Sequence, residues 1–136
     1  MAPNESSTQI LVVDDDKIVL ALFKRAAQRV GCSLRGVESV EEGLELMMDH
    51  KFIAVITDVR LPGVGGMAFA EWLHNDHPEI PCILVSAVPD EELSKLAESV
   101  RATCQAKPLS IATVVKMLQP LAKYHDSKPT REAATA

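Results

Sequence analysis

Short apolar runs separated by segments of helical periodicity constrain the fold of this chain most strongly. Gln9 to Val13, Phe52 to Thr57 and Cys82 to Val85 are almost continuously apolar, which is typical of strands buried on both faces of a parallel sheet. Weaker strands are predicted at Ser33 to Val37 and at Ala102 to Ala106, the latter mainly because the alternation requires one. Parallel strands need long crossover connections, so helices are expected in the intervals.

Five helices are predicted from apolar spacing and from helix start and stop signals. They cover Lys17 to Val30, Ser39 to about Met48, Met67 to Asp76, Pro89 to Arg101 and Ser110 to about Leu118. Ser39 and Glu42 form a capping box, and Pro120 is expected to kink or end the last helix. The alternation predicts an α/β fold, an open parallel sheet with helices on both faces and right-handed crossovers.

Length and composition predict one domain. The chain has 136 residues and 47% hydrophobic content, which is ample for a single packed core. Residues 1–8 and 123–136 are polar or rich in small residues and lack periodicity, so we expect disordered tails around a domain at 9–122. The tail shows no start of a further domain, which favours a complete single-domain protein.

Charge and hydropathy exclude several classes of function. A net charge of −5 without a Lys/Arg cluster argues against direct nucleic-acid binding. No apolar stretch approaches the roughly 18 residues of a membrane span, and the N-terminus lacks the pattern of a signal peptide. We therefore expect a cytoplasmic protein whose partner is another protein, or a small anionic group held through a metal.

Polar residues follow the predicted strands at the end where parallel sheets bind ligands. Asp14 and Asp15 come after the first strand, Asp58 after the third, Ser86 after the fourth and Lys107 after the fifth. Adjacent carboxylates need a counter-charge, and Mg²⁺ prefers such oxygen ligands. The alternative for the acidic run is an exposed turn that caps the next helix.

These residue types together suit phosphoryl transfer. A carboxylate can accept a phosphoryl group covalently, and the transfer needs positioning and charge neutralisation, which a metal and a lysine supply. The small Ala87 and the glycines after Asp58 are expected to leave room for a phosphodonor.

Four motifs resemble the receiver domain of response regulators in two-component signalling, in particular its chemotaxis-type single-domain members. They are Leu11-Val12-Val13-Asp14-Asp15-Asp16, Asp58-Val59-Arg60-Leu61-Pro62-Gly63-Val64-Gly65-Gly66, Ser86-Ala87 and Lys107-Pro108. The resemblance covers about Gln9 to Ala122. It implies a flavodoxin-like five-stranded sheet with strand order 2-1-3-4-5.

The resemblance also implies an acceptor and a metal site. Asp58 would be the phosphoacceptor. Mg²⁺ would be held by Asp14, Asp15 and Asp58 together with the backbone carbonyl of Arg60. Asp16, the third member of the acidic run, is then expected to cap the first helix.

Further roles follow from the same resemblance. Ser86 would hydrogen-bond the phosphoryl group, Lys107 would ion-pair with it, and the Lys107–Pro108 peptide would be cis. Ser86 also belongs to the switch, and Cys104 stands where the family commonly has a Tyr or Phe that swings inward. A cysteine cannot sweep the same volume, so the aromatic part of the coupling is in doubt.

By resemblance the partners are proteins of a signalling pathway. A histidine kinase or a histidine phosphotransfer protein would donate the phosphoryl group, and a downstream protein would read the face built from the fourth helix, fifth strand and fifth helix. The same face is a candidate surface for a homodimer. The chain would be a phosphoacceptor that assists its own phosphorylation and dephosphorylation rather than an enzyme.

Two other functions remain open from the residues. Asp14-Asp15-Asp16 contains the Asp-x-Asp of haloacid-dehalogenase-type phosphatases, with Asp14 as nucleophile, although that hypothesis leaves Asp58 without a role. The second alternative is a receiver-like interaction module that is never phosphorylated.

Overall fold

Within residues 9–126, the part of the chain that the computed structural model describes, five parallel strands form one sheet with five intervening or following helices. Side chains are described as far as residue 122. The elements are β1 Gln9–Val13, α1 Lys17–Val30, β2 Ser33–Val37, α2 Val40–Asp49, β3 Phe52–Asp58, α3 Gly66–Asp76, β4 Cys82–Ser86, α4 Glu91–Ser99, β5 Thr103–Ala106 and α5 Ile111–Asp126. The strand order is β2-β1-β3-β4-β5, with every pair parallel. The predicted flavodoxin-like α/β fold is confirmed.

The two faces of the sheet bury separate apolar clusters. Alternate side chains of β1 point to opposite faces: Ile10 and Val12 pack with α1 and α5, whereas Leu11 and Val13 pack with α2, α3 and α4. All four are at most 1% exposed. Burial on both faces explains why the central strands are continuously apolar rather than alternating.

Capping residues set the ends of the first two helices. Asp16 caps α1 by accepting the N–H of Ile18 at 2.9 Å, which confirms the predicted role of Asp16. The helix ends at Gly31, whose φ of 87° is left-handed and suits a residue without Cβ. In α2, the Ser39 hydroxyl accepts the N–H of Glu42 at 3.2 Å, and the Glu42 carboxylate accepts the N–H of Glu38 at 2.9 Å.

Helix α4 is shorter than predicted. It begins at Glu91 rather than Pro89, because Asp90 acts as its N-cap and accepts the N–H of Leu93 at 2.8 Å. An aspartate that caps the first turn is a stronger start signal than a proline near it. The helix ends at Ser99, and Arg101, which the prediction placed inside it, has a left-handed φ of 58°.

Helix α5 is longer than predicted. The expectation that it stops near Leu118 is wrong, because the helix continues through Pro120 to Asp126. Proline removes one backbone donor, but Val114 and Leu118 are fully buried against the sheet and Leu121 packs on the same cluster. This packing holds the helix on both sides of the proline. The helix also passes the predicted domain limit at residue 122, whereas the predicted tail residues 1–8 and 127–136 lie outside the described residues.

In the described part of the chain, no helix combines the length and the apolar character that crossing a membrane requires.

Candidate functional site

The candidate site lies at the carboxyl ends of four adjacent strands. Asp14 follows β1, Asp58 is the last residue of β3, Ser86 is the last residue of β4, and Lys107 follows β5. The sheet order reverses between β1 and β3, which is the position where open parallel sheets form their ligand crevice. The tertiary structure thus brings four of the predicted residues to one edge of the sheet.

Backbone hydrogen bonds extend the strand ladders one step into this crevice. The N–H of Asp14 donates to the carbonyl of Val37 at 3.0 Å, and the N–H of Lys107 donates to the carbonyl of Ser86 at 2.8 Å. Beyond Asp58, the N–H of Val59 donates to the carbonyl of Val85 at 3.0 Å. The candidate site residues therefore project from backbone that the sheet holds in place.

Three carboxylates converge in the crevice. One oxygen each from Asp14, Asp15 and Asp58 lies within 4.8 Å of the others. Asp14 and Asp58 are only 2% and 8% exposed, whereas Asp15 is exposed. One oxygen of Asp14 also accepts the N–H of Asp16 at 2.9 Å. A set of carboxylate oxygens at this spacing fits a hard divalent cation such as Mg²⁺.

Lys107 supplies the nearby positive charge. Its Nζ lies 3.1 Å from Oδ2 of Asp14 and 3.5 Å from Oδ2 of Asp58. The peptide between Lys107 and Pro108 is cis, as the resemblance implied. One ammonium faces two buried carboxylates and a third at the rim, so the cluster keeps excess negative charge.

The excess negative charge shifts the pKa values of Asp58 and Lys107. Burial and then the negative charge of Asp14 raise the pKa of Asp58, while Lys107 and a hydrogen bond from the Arg60 backbone only partly oppose them. For Lys107, burial alone would lower the pKa, but hydrogen bonds to Asp14 and the attraction of Asp14 and Asp58 raise it overall. A charged lysine beside under-neutralised carboxylates is an environment that favours a further cation.

Ser86 and Arg60 flank the acids. The Ser86 hydroxyl oxygen is buried and accepts the N–H of Val88 at 3.1 Å. That bond leaves the hydroxyl hydrogen for another acceptor. Arg60 lies in the loop after β3, two residues beyond Asp58, with an exposed side chain.

Cys104 lies on a face of the sheet. It stands opposite Leu84 in the β4–β5 ladder and packs, half-buried, on the cluster formed with α2, α3 and α4. Burial raises the pKa of its thiol, which makes the thiol less reactive. A role of Cys104 in switching stays a prediction.

Two backbone contacts of Asp58 were not foreseen from the sequence. The buried hydroxyl of Thr57 donates to the Asp58 carbonyl at 3.1 Å. On another side, Gly66 packs directly on that carbonyl, and a Cβ at this position would overlap its oxygen. The missing side chain of Gly66 thus makes room for the Asp58 carbonyl, and the expectation that the glycines leave room for a phosphodonor stays a prediction. The Gly-Gly step at a helix start was the sequence signal for such a close approach.

A mostly apolar cavity of about 800 Å³ opens beside Lys107. Its wall from α1 includes Ile18 and Leu22, and its opposite wall includes Pro108 and Leu109. Ile18 is 80% exposed, so an apolar side chain faces solvent next to the charged cluster.

Comparison with known proteins agrees with these features. The family model of the response regulator receiver domain matches residues 10–119. The DNA-binding transcriptional regulator NtrC of Klebsiella pneumoniae is 27% identical over 124 residues, which are 90% of this chain and 26% of that protein. The response regulator protein PilR of Pseudomonas aeruginosa is 28% identical over 82 residues, 60% of this chain and 18% of that protein. The chain thus spans about a quarter or less of the length of these relatives.

Solved structures with the same fold include two small receiver proteins. The CheY-like receiver domain protein of Methanospirillum hungatei superimposes with a TM-score of 0.79 at 22% identity, over 89% of this chain and 98% of that one. The chemotaxis response regulator CheY4 of Vibrio cholerae gives a TM-score of 0.76 at 21% identity, over 84% and 98%. At these identities the likeness establishes the fold.

Proposed function

Because the chain belongs to the response regulator receiver domain family, we propose that it is a phosphorylation-dependent switch in which Asp58 accepts the phosphoryl group. One observation carries the assignment to Asp58. Its carboxylate is buried at a strand end, lies 3.5 Å from the Lys107 ammonium and shares the crevice with two further acids. This combination supplies a nucleophile, a counter-charge and cation ligands in one place.

Three carboxylates and one carbonyl would hold Mg²⁺. They are those of Asp14, Asp15 and Asp58 with the backbone carbonyl of Arg60, and the clustering of the three carboxylates supports this set. When bound, the ion neutralises developing charge on the phosphoryl oxygens. Asp14 serves in addition as an anchor, since its oxygens engage Lys107 and the N–H of Asp16.

The transfer exchanges one bond to phosphorus for another. A carboxylate oxygen of Asp58 forms a bond to phosphorus while the phosphorus–nitrogen bond of a phosphohistidine breaks, and the imidazole nitrogen keeps the electron pair. Lys107 pairs with the negative phosphoryl oxygens, and Ser86 donates its hydroxyl hydrogen to one of them. Ser86 ends β4, the strand next to that of Asp58. Lys107 follows β5, one strand further along the sheet, and its Nζ reaches to 3.5 Å from the Asp58 carboxylate.

The donor is proposed to be a histidine kinase or a histidine phosphotransfer protein. The apolar cavity beside Lys107 supports docking of such a protein over the crevice. A downstream protein, or a second copy of the chain, would bind the face of α4, β5 and α5, where Leu96 is 42% exposed. Phosphorylation would shift the population between two states of this face. A cytoplasmic location belongs to the same proposal, and cell fractionation tests it.

The phosphatase alternative receives less support. It requires Asp14 as nucleophile and leaves the buried Asp58 carboxylate, 3.5 Å from the Lys107 ammonium, without a role. No observation favours the interaction module over the switch. The structure retains every residue type that phosphorylation needs.

Labelling with acetyl phosphate and Mg²⁺, followed by intact-mass spectrometry, tests the proposal. We expect one phosphoryl adduct on the native chain and none on Asp58→Asn, because an amide is not a nucleophile of this kind. Asp49→Asn, which removes an exposed acid at the end of α2, serves as the matched control and should label normally.

Three results would contradict the proposal. Single-site labelling that persists in Asp58→Asn would remove Asp58 from the role. Hydrolysis of p-nitrophenyl phosphate that survives Asp58→Asn but not Asp14→Asn would support the phosphatase. A native chain that neither acetyl phosphate nor a phosphohistidine donor labels would support the interaction module.

A further inference from the structure

Two neighbouring glycines at the start of α3 have different surroundings. A Cβ on Gly66 would overlap the carbonyl oxygen of Asp58, and would lie 2.8 Å from the Asp58 carbonyl carbon and 3.0 Å from Cα of Val59. A Cβ on Gly65 would meet only the carbonyl oxygen of Val59, at 3.6 Å. The Gly65 distance is an ordinary contact, whereas a Cβ on Gly66 would come closer to the Asp58 carbonyl group than real Cβ atoms come to their neighbours. Of these two positions, only position 66 lacks room for a side chain.

The Gly66 backbone also closes the loop that leaves Asp58. Its N–H donates to the carbonyl of Val59 at 3.0 Å. Because Gly66 has no side chain, the carbonyl of Asp58 can pack directly against it. The Gly66 N–H at the same time holds the carbonyl of Val59. Arg60, whose carbonyl belongs to the proposed metal ligands, is the next residue along the chain.

Helix α3 cannot easily move away from this contact. Phe69, Ala70 and Leu73, on the buried face of the helix, are each 1% exposed in the core. An added methyl group at position 66 would therefore push on the end of β3 rather than simply displace the helix. The added methyl group and the carbonyl oxygen of Asp58 would have to separate by more than about 1 Å to restore a normal contact distance.

We propose that Gly66 is a positioning residue, which sets the place of the Asp58–Arg60 segment and thereby the affinity of the site for Mg²⁺. The inference rests on the proposed function, because it takes Asp58 and Arg60 as ligands. Metal and phosphoryl sites depend on ligand placement at the scale of about 1 Å. Loss of groups that orient metal ligands commonly weakens metal binding by about 10- to 100-fold.

The test compares Gly66→Ala with two matched variants. Gly65→Ala adds the same methyl group one residue away, where there is room. Ala70→Gly weakens the same helix from within without touching Asp58. Mg²⁺ dissociation constants are measured by calorimetry on each full chain, with folding checked by circular dichroism, and trimethylamine N-oxide is added to all samples to favour the folded state.

We expect Gly66→Ala to raise the Mg²⁺ dissociation constant by about tenfold or more. Gly65→Ala and Ala70→Gly should stay within about twofold of the native chain, even though Ala70→Gly lowers the Tm. The amide signals of Val59 and Arg60 in NMR spectra should move in Gly66→Ala and stay in place in Ala70→Gly. A purely structural role would weaken both helix variants alike.

Other results overturn the inference. Native Mg²⁺ affinity in Gly66→Ala would remove Gly66 from the positioning role while leaving the proposed function intact. Failure of Gly66→Ala to fold where Ala70→Gly folds would make the contact a requirement of the fold and not of the site. If the native chain binds no Mg²⁺ and is not labelled, the proposed function fails, and this inference fails with it.

Discussion

Two charged regions of the molecule differ in how they balance their charges. The crevice places one ammonium, from Lys107, against two buried carboxylates and a third at the rim. A groove of about 570 Å³ along β2 and the neighbouring helices, here the β2 groove, is instead lined by three cationic and three anionic side chains. They are Lys17, Lys24, Arg35, Glu38, Glu42 and Glu45.

Burial separates the two regions further. In the β2 groove, Lys17 and Glu38 are 3.9 Å apart, with side chains 82% and 46% exposed. In the crevice, Lys107 and Asp14 are 3.1 Å apart, with side chains 21% and 4% exposed. Water screens the first pair, and exposed pairs contribute about 0–1 kcal/mol. Both regions therefore hold the same types of charged group, but only the crevice leaves them unbalanced and largely removed from water.

Replacing the two lysines gives the largest contrast. Lys107→Met should lower the rate of labelling by acetyl phosphate by about 10- to 100-fold, because it removes the ammonium that lies 3.5 Å from Asp58, the proposed acceptor. Lys17→Met should leave the rate within about twofold, since its side chain is 82% exposed and its pair with Glu38 is screened by water. The rates are measured by time-resolved intact-mass spectrometry. Equal losses of rate in both variants would mean that the overall charge of the chain governs labelling. Such a result would contradict the distinction between the crevice and the β2 groove.

Neutralising one acid in each region tests the imbalance. Without metal, Asp58→Asn should raise the Tm by a few degrees, because it removes a charge whose burial, and then its repulsion with Asp14, raise the pKa of Asp58. Glu45→Gln, in the β2 groove, should leave the Tm nearly unchanged. Mg²⁺ should stabilise the native chain and Glu45→Gln more than Asp58→Asn.

The pH dependence of that difference follows from the direction of the shift. A carboxyl whose folded pKa lies above its unfolded pKa takes up protons on folding, so its charge destabilises the fold as the pH rises through both values. The advantage of Asp58→Asn should therefore be absent in acid and grow towards neutral pH. Differential scanning fluorimetry in EDTA across this range measures it. A constant difference at all pH values would contradict the shift.

The smallest effect divides the acidic run itself. Asp16→Ala should lower the free energy of unfolding by about 1 kcal/mol, because it removes the cap that accepts the Ile18 N–H. It should leave Mg²⁺ affinity unchanged. Asp15→Ala should do the reverse, weakening Mg²⁺ binding with little loss of stability. Urea unfolding and calorimetry separate the two, and loss of Mg²⁺ affinity in Asp16→Ala would place it among the ligands.

Much of the fold was predictable because its signals are local. The apolar run before Asp14, the helical spacing after it and the Asp16 cap lie within a few residues of one another, so periodicity and capping rules apply directly. The predictions failed where two local signals competed. At α4, Asp90 prevailed over Pro89 as the start of the helix, and at α5 tertiary packing prevailed over Pro120.

The clustering of the site was predictable in outline, because parallel strands carry their terminal residues to one edge. Its energetics were not. That Lys107 contacts both Asp14 and Asp58, and that Gly66 packs on the carbonyl of Asp58, depends on distances that no sequence rule provides.

The amino-acid sequence by itself determined the alternation of strands and helices, the caps and the identity of the polar residues at the strand ends. These properties follow from side-chain chemistry over short spans of chain. The tertiary structure alone decided which carboxylates are buried, which of them share a lysine and which of the two glycines at the start of α3 has no room for a side chain. Such properties arise where segments distant in sequence pack against one another and bring their charged groups within contact distance.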